Sequence, residues 1–322
     1  MALDPAFQVL DRRFYRYIIH NAHIDRLWTG GRWTEGPVYV PAARHLLFSD
    51  IPNDRTLRYD ELSGETSIFE QPALNQNGHC LDRQGRVVSC EHRGRAVSRI
   101  GHDGLREVLA DAFEGKRLNS PNDVVSKSDG SIWFTDPTYG IDSDYEGDKA
   151  VSELGDASNV YRIDPDDGSI SAVVTDMVRP NGLAFSPDES VLYVADTGLS
   201  HVGRDCPPVI RSYPLNSDGR TVVGDSTVFA TCENGAFDGF RVGADGTIWA
   251  SATDGVHCLV PSGLVPSGLV PSADDGDGST LVGKILLPEV VANVEFGGLK
   301  RNRLYICATT SLFAVFLNTR AT

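Results

Sequence analysis

A short two-strand unit recurs along the whole chain, and a recurrence of this kind leaves few folds open. Its clearest copy is Ser120 to Gly140, SPNDVVSKSDGSIWFTDPTYG. A Pro-Asn-Asp opening leads into Val124-Val125, Ser128-Asp129-Gly130 turns the chain, and Ile132-Trp133-Phe134-Thr135-Asp136 returns it. Two β-rich runs around an Asp-Gly turn predict an antiparallel hairpin. Six returning segments follow the pattern: 46–51, 86–92, 131–136, 191–196, 247–254 and 303–310. Each has a strand candidate just upstream, beginning at Glu35-Gly-Pro, Asn77-Gly-His, Pro121-Asn-Asp, Pro180-Asn-Gly, Phe237-Asp-Gly and Asn293-Val-Glu. Further hairpins, such as NVYRIDPDDGSISAVV (159–174), lie between them. Periods of about 40 to 60 residues holding about four strands each predict an all-β fold, a six-bladed β-propeller. A pair of β-sandwiches also has short strands at regular spacing, but it leaves the recurring signature unexplained.

The propeller is expected over residues 31–322, after an N-terminal extension (1–30) with a short helix around Phe14 to Ile19. Residues 259–280 contain LVPSGLVPSGLVPS and read as a low-complexity insertion on the fifth blade, because Pro and Gly at that density disfavour strand and helix. Its acidic end, Asp274 to Asp277, reads as a solvated loop. Residues 311–319 form a strand candidate left over after the sixth returning segment, and they are expected to pair near the first blade.

Several function classes drop out. A formal charge of −15 lacks the basic footprint that phosphate binding needs, so no nucleic-acid partner is expected. No apolar run is long enough to span a bilayer. The first twenty residues carry charges throughout and no apolar core, unlike a secretory leader, so a cytoplasmic location and no membrane partner are expected. The six cysteines form no C-x-x-C pair and read as scattered buried thiols. Gly278 to Ile285 nearly matches a phosphate-binding loop, but it ends in Ile where Ser or Thr is needed, and LLPEVV after it does not read as a helix. Serine-hydrolase, zinc-protease and dinucleotide motifs are missing from the sequence.

What remains is positional. The six upstream strands begin with Glu35, Asn77, Asn122, Asn181, Asp238 and Asn293. A propeller gathers its innermost strands around one channel, so these side chains would ring one mouth. Carboxylates and amide carbonyls are hard oxygen donors. They predict one divalent cation: calcium first, with magnesium, manganese and zinc as alternates. Glu35 and Asp238 match its charge, and Asn122 and Asn181 add neutral carbonyls. Four protein ligands leave positions for water and substrate.

The segments Trp33-Thr-Glu35-Gly-Pro-Val-Tyr, Ser120-Pro-Asn122-Asp, Trp133-Phe-Thr-Asp136-Pro, Arg179-Pro-Asn181-Gly-Leu-Ala-Phe-Ser-Pro-Asp and Phe237-Asp238-Gly resemble the SMP-30/gluconolactonase family. The resemblance implies a six-bladed propeller with a divalent metal in its channel, held by Glu35, Asn122, Asn181 and Asp238, and hydrolysis of lactones or, in some members, organophosphates. Animal gluconolactonases carry a sugar-contacting Arg two residues before the second metal motif's Asn. This chain has Ser120 there.

The expected activity is therefore metal-dependent opening of a small-molecule lactone. Asp238 would hold the metal and orient or deprotonate the attacking water, and Asp136 would return a proton to the leaving alkoxide. Asn77, His79 and Asn122 would contact substrate. An organophosphate hydrolase on the same metal is the nearer alternative. A non-catalytic propeller that binds a partner protein is the other, although such a scaffold has no need of metal-type ligands in its channel.

Overall fold

The computed structural model describes residues 3–262 and 278–321. It is a six-bladed β-propeller whose blades are antiparallel sheets wound outward from the axis. Blade 1 comprises Thr34–Val40, His45–Asp50, Arg55–Asp60 and Thr66–Glu70, and blade 2 comprises Gln76–Leu81, Val87–Glu91, Ala96–Ile100 and Arg106–Ala110. Blade 3 holds Val124–Ser126, Ile132–Asp136, Asn159–Ile163 and Ile170–Val174. Blade 4 holds Pro180–Phe185, Val191–Asp196, Val209–Pro214 and Thr227–Thr231. Blade 5 runs Phe240–Val242, Ile248–Ala252, Gly255–Pro261 and Ser279–Leu286, and blade 6 runs Val291–Gly297, Arg303–Ala308 and Ser311–Phe316. Each innermost strand touches the next, and the sixth touches the first, which closes the ring.

The hairpins between first and second strands turn through left-handed residues: Arg44, Gly85, Gly130, Glu189 and Gly246 in blades 1 to 5, and both Gly298 and Arg301 in blade 6. The core lies between blades. Trp249 and Phe296 fill the space between blades 5 and 6, Phe134 and Tyr161 pack under blade 2, and Trp133 with Leu183 and Val194 joins blades 3 and 4. Strands alternate their side chains, so both faces of a blade are buried against its neighbours.

The N-terminal stretch set apart by the sequence reading is built into two blades. Phe7–Val9 adds an outer strand to blade 5, with Phe7 opposite Ile285. A 3-10 helix spans Arg12–Arg16, capped by Asp11, whose carboxylate accepts from Arg13 N at 2.7 Å. Its Phe14 ring rests on Gly283, where a Cβ would come within 2.4 Å of it. Asp25–Thr29 is the fourth strand of blade 6 and pairs with Ser311–Phe316, Thr29 opposite Ser311. The leftover C-terminal strand thus finds its partner just upstream of blade 1. Trp28 then stacks edge-on against Phe48 of blade 1, ring centroids 5.6 Å apart.

In the fifth blade the strands extend into the segment expected as insertion, reaching Pro261 and resuming at Ser279, which face each other across the ladder. The rest of the LVPSG repeat and Asp274 to Asp277 lie outside the described residues. The near-match to a phosphate loop is strand Ser279–Leu286, so its helix context is absent.

Candidate metal and hydrolase site

The innermost strands are irregular where they begin. The ladder slips between Glu35 and Val38, Gln76 and His79, Pro180 and Leu183, and Val291 and Asn293. Such bulges re-aim side chains. In blades 3 and 5 the regular strand starts only at Val124 and Phe240, so Asn122 and Asp238 stand just ahead of it. A glycine follows four of the ring residues, and its lack of a side chain lets neighbouring strands meet. A Cβ on Gly36 would lie 1.8 Å from Asn77 O, on Gly182 2.3 Å from Asp238 O, and on Gly239 2.0 Å from the Asn293 carboxamide. Backbones bond directly across these contacts: Gly78 N donates to Asn122 O and Gly239 N to Ala292 O, both at 2.8 Å.

The result is a cavity of about 330 Å³ at one mouth of the channel, into which Glu35, Asn77, Asn122, Asn181 and Asp238 all face. Trp33, Phe237, Val290 and Val291 give it an apolar side, and Tyr139, Glu146, Thr197 and Ser200 a polar one. The sixth ring member, Asn293, sits beneath. Its Nδ2 donates to Glu35 Oε2 at 2.9 Å and to Asp123 Oδ2 at 3.4 Å.

Hydrogen bonds orient the amides. His92 Nδ1 meets the carbonyl of Glu146 at 3.1 Å and must donate to it, so Nε2 accepts from Asn77 Nδ2 at 3.2 Å. That leaves the Asn77 carbonyl oxygen free for the cavity. Asn181 Nδ2 donates to Thr197 Oγ1 at 3.2 Å, with the same consequence. Burial holds His92 neutral, its pKa lowered to about 4.

Charge is unbalanced here. Among the described residues no Lys, Arg or His lines the cavity. Burial, and then the charge of Asp123, raises the pKa of Glu35; burial, and then the charge of Glu35, raises that of Asp238. The nearby cation, Arg241, is engaged with Glu295 at 2.8 Å and lies 3.9 Å from Asp123. Two carboxylates, Glu35 and Asp238, and the oriented amide carbonyls of Asn77 and Asn181 in one cavity have the hard-oxygen chemistry of a calcium or magnesium site. The described residues contain no metal-binding cluster of three or more His, Cys, Asp or Glu, so softer ligand sets are not formed.

Two expected residues are not brought to the cavity. Asp136 is fully buried, with its Oδ2 accepting from Asn119 N at 2.9 Å. Blades 1 and 4 repeat the arrangement: Asp50 accepts from Arg32 N at 2.9 Å and Asp196 from Arg179 N at 3.0 Å. A carboxylate at the end of the second strand thus holds the chain entering the first, and Asp136 belongs to that framework. His79 is also fully buried, its ring nitrogens 3.0 Å from Ser49 Oγ and 2.8 Å from Ser89 Oγ. Ser49 in turn donates to Asn77 O at 2.8 Å, so His79 braces the ring from below. Ser120, where animal relatives have Arg, is buried too. Its hydroxyl donates to Pro137 O at 2.7 Å and accepts from Gly140 N at 2.9 Å.

Sequence reasoning missed Asp123, Tyr139 and Glu146. Asp123 was legible, because it stands where Gly follows four of the other ring residues. Tyr139 and Glu146 reach the site from a loop whose path no local pattern specifies.

The SMP-30/gluconolactonase/LRE-like region model matches residues 33–310. The chain belongs to this family. A gluconolactonase of Zymomonas mobilis subsp. mobilis is 32% identical over 252 residues, covering 72% of this chain and 68% of its own. A pentonolactonase of Haloferax volcanii is 27% identical, covering 86% and 82%. Among solved structures, a Xanthomonas campestris gluconolactonase superposes with a TM-score of 0.84 at 32% identity, over 98% of this chain and 95% of the other.

Proposed function

We propose that this SMP-30/gluconolactonase member opens the ester ring of small lactones with one divalent cation held by Glu35, Asn122, Asn181 and Asp238. The observation that carries the reading is one cavity in which the carboxylates of Glu35 and Asp238 and the amides of Asn77, Asn122 and Asn181 meet no cationic side chain. The named lactonases among its relatives supply the reaction class. Calcium suits the all-oxygen set best, with magnesium, manganese or zinc as substitutes. When bound, the cation would polarise the lactone carbonyl and stabilise the oxyanion formed on attack.

The protein's own groups do the rest. Asp238 orients the attacking water and takes its proton. Asn77 and Asn122 present amides to the polar edge of the substrate, and Trp33, Phe237, Val290 and Val291 contact its carbons. Ser120 offers no long cation to a sugar hydroxyl, so selectivity differs from that of the Arg-bearing animal branch. No helix among the described residues is long and apolar enough to cross a membrane. The six free thiols suit a reducing compartment such as the cytoplasm.

The test is a panel of aliphatic, sugar and aryl lactones, assayed by acid release before chelation, after it, and after calcium is restored. Turnover that disappears and returns with the metal supports the reading. Turnover indifferent to chelation, or confined to phosphoesters, overturns it.

A further inference from the structure

One carboxyl group in the cavity lies outside the proposed ligand set. Residues 137–158 leave blade 3 between its second and third strands and pass over the mouth. A one-turn helix, Tyr139–Asp142, opens this excursion. Ala150 N donates to Ile141 O at 3.0 Å, and Gly147 packs so closely on Gly140 that a Cβ would lie 2.2 Å from its carbonyl. Gly140 is wedged in turn against His92 and Ser120, 2.4 and 2.8 Å from where its own Cβ would be. The loop is therefore fitted to the rim.

Its anchor is the main chain of Glu146, whose carbonyl receives the His92 hydrogen bond. With the backbone held there, Glu146 lines the same cavity as the ring residues. Its charge acts on both Glu35 and Asp238. Unlike Asp142, which meets His201 at 2.9 Å and Arg179 at 3.4 Å, the Glu146 carboxyl has no hydrogen-bond or ion-pair partner among the described residues. The other acidic hydroxyl on this side, Tyr139, is bonded to Thr197, and burial pushes its pKa up to about 12.

Building on the lactonase reading, we propose that Glu146 is the catalytic proton donor to the leaving ring oxygen, the role the sequence assigned to Asp136. The water oxygen bonds to the acyl carbon as Asp238 takes a proton from it. On collapse the bond from acyl carbon to ring oxygen breaks, its electron pair goes to the ring oxygen, and the Glu146 proton follows. The proton on Asp238 then returns through solvent to Glu146, so water and lactone give the hydroxy acid with nothing left over. Burial, with the charge of Asp142 added, raises the Glu146 pKa to about 7, a shift that favours the acid form. An alkoxide needs this proton and a phenoxide does not.

The experiment compares an aliphatic lactone, δ-valerolactone, with an aryl one, dihydrocoumarin, in the metal-loaded parent, Glu146→Gln and Glu146→Asp. The expected result is a fall in kcat of about a hundredfold or more for Glu146→Gln on δ-valerolactone. With metal saturating in every variant, the loss on dihydrocoumarin should be far smaller, and Glu146→Asp intermediate. In the parent alone, kcat for δ-valerolactone should decline as pH rises and the acid form is lost, and kcat for dihydrocoumarin should not. Equal losses on both lactones, a change in KM without kcat, or the same pH profile for both overturns the proposal. A parent that opens neither lactone overturns the functional reading instead.

Discussion

Asp136 and Asp238 are both acids within a family-like motif, yet they have different work. Asp136 secures Asn119 N, as Asp50 and Asp196 secure the corresponding chain in their blades. Burial raises its pKa from 3.8 to about 7. Between those values the folded protein keeps a proton that the unfolded chain has lost, so this stabilising contribution is complete below about 3.8 and disappears as pH rises through about 7. Asp136→Asn should therefore flatten the dependence of melting temperature on pH between about 4 and about 7 while leaving kcat within about threefold, well short of the loss expected for a proton-transfer group. A hundredfold fall in kcat would return Asp136 to the chemistry. Asp238→Asn should behave in the opposite way. Saturating metal restores occupancy, while turnover stays about a hundredfold down because the base is gone; full rescue would make Asp238 a ligand only. The sequence distinguished neither case. Each is one Asp within a short motif, and only the hydrogen-bond partners of Asp136 and the place of Asp238 in the cavity separate them. His79 misled for the same reason, since a strand position two residues past Asn77 does not reveal that Ser49 and Ser89 occupy both ring nitrogens.

Strands and turns were far more legible than individual roles. Each returning segment is a second strand of its blade, and the six turns fall where turn residues cluster, because a left-handed residue is needed there and Gly or a polar side chain supplies it. The bulges could not be read, since a slipped ladder leaves no mark on periodicity. Their consequence is testable through the glycines that permit them. Gly182 has no positive φ, so Gly182→Ala meets only crowding: its Cβ would come within 2.3 Å of Asp238 O and 2.8 Å of Gly239 Cα. Overpacking of this kind costs about 1–3 kcal/mol. The denaturant midpoint should drop accordingly, and metal affinity should drop with it because Asp238 is displaced. A stable variant with unaltered metal binding would mean that the inner strands are not tightly registered.

At the scale of the whole molecule, the ring is closed by a strand from near the start of the chain and one from near its end. Ending the chain before Ser311 leaves Asp25–Thr29 without a partner and exposes the edge of Arg303–Ala308. Unpaired edges promote association, so this truncation should elute as aggregate and lose its cooperative melt. Elution and melting unchanged from the parent would contradict the closure. Deleting Leu264 to Ser272, by contrast, spares the Pro261–Ser279 pairing and should leave melting and activity near those of the parent, since loop length changes closure entropy by only about 0.6 kcal/mol per doubling. The central claim is that one cation, held by four oxygens from four blades, drives lactone opening. Its most direct test is the calcium titration of metal-free parent and Glu35→Gln, reading bound metal and lactone turnover on the same samples. In the parent, turnover should rise from zero in step with occupancy. In Glu35→Gln, which keeps an oxygen but loses a charge, both curves should move together to at least about tenfold higher calcium, a difference of about 1.4 kcal/mol. Turnover in the metal-free parent, or curves for Glu35→Gln that coincide with those of the parent, would contradict it.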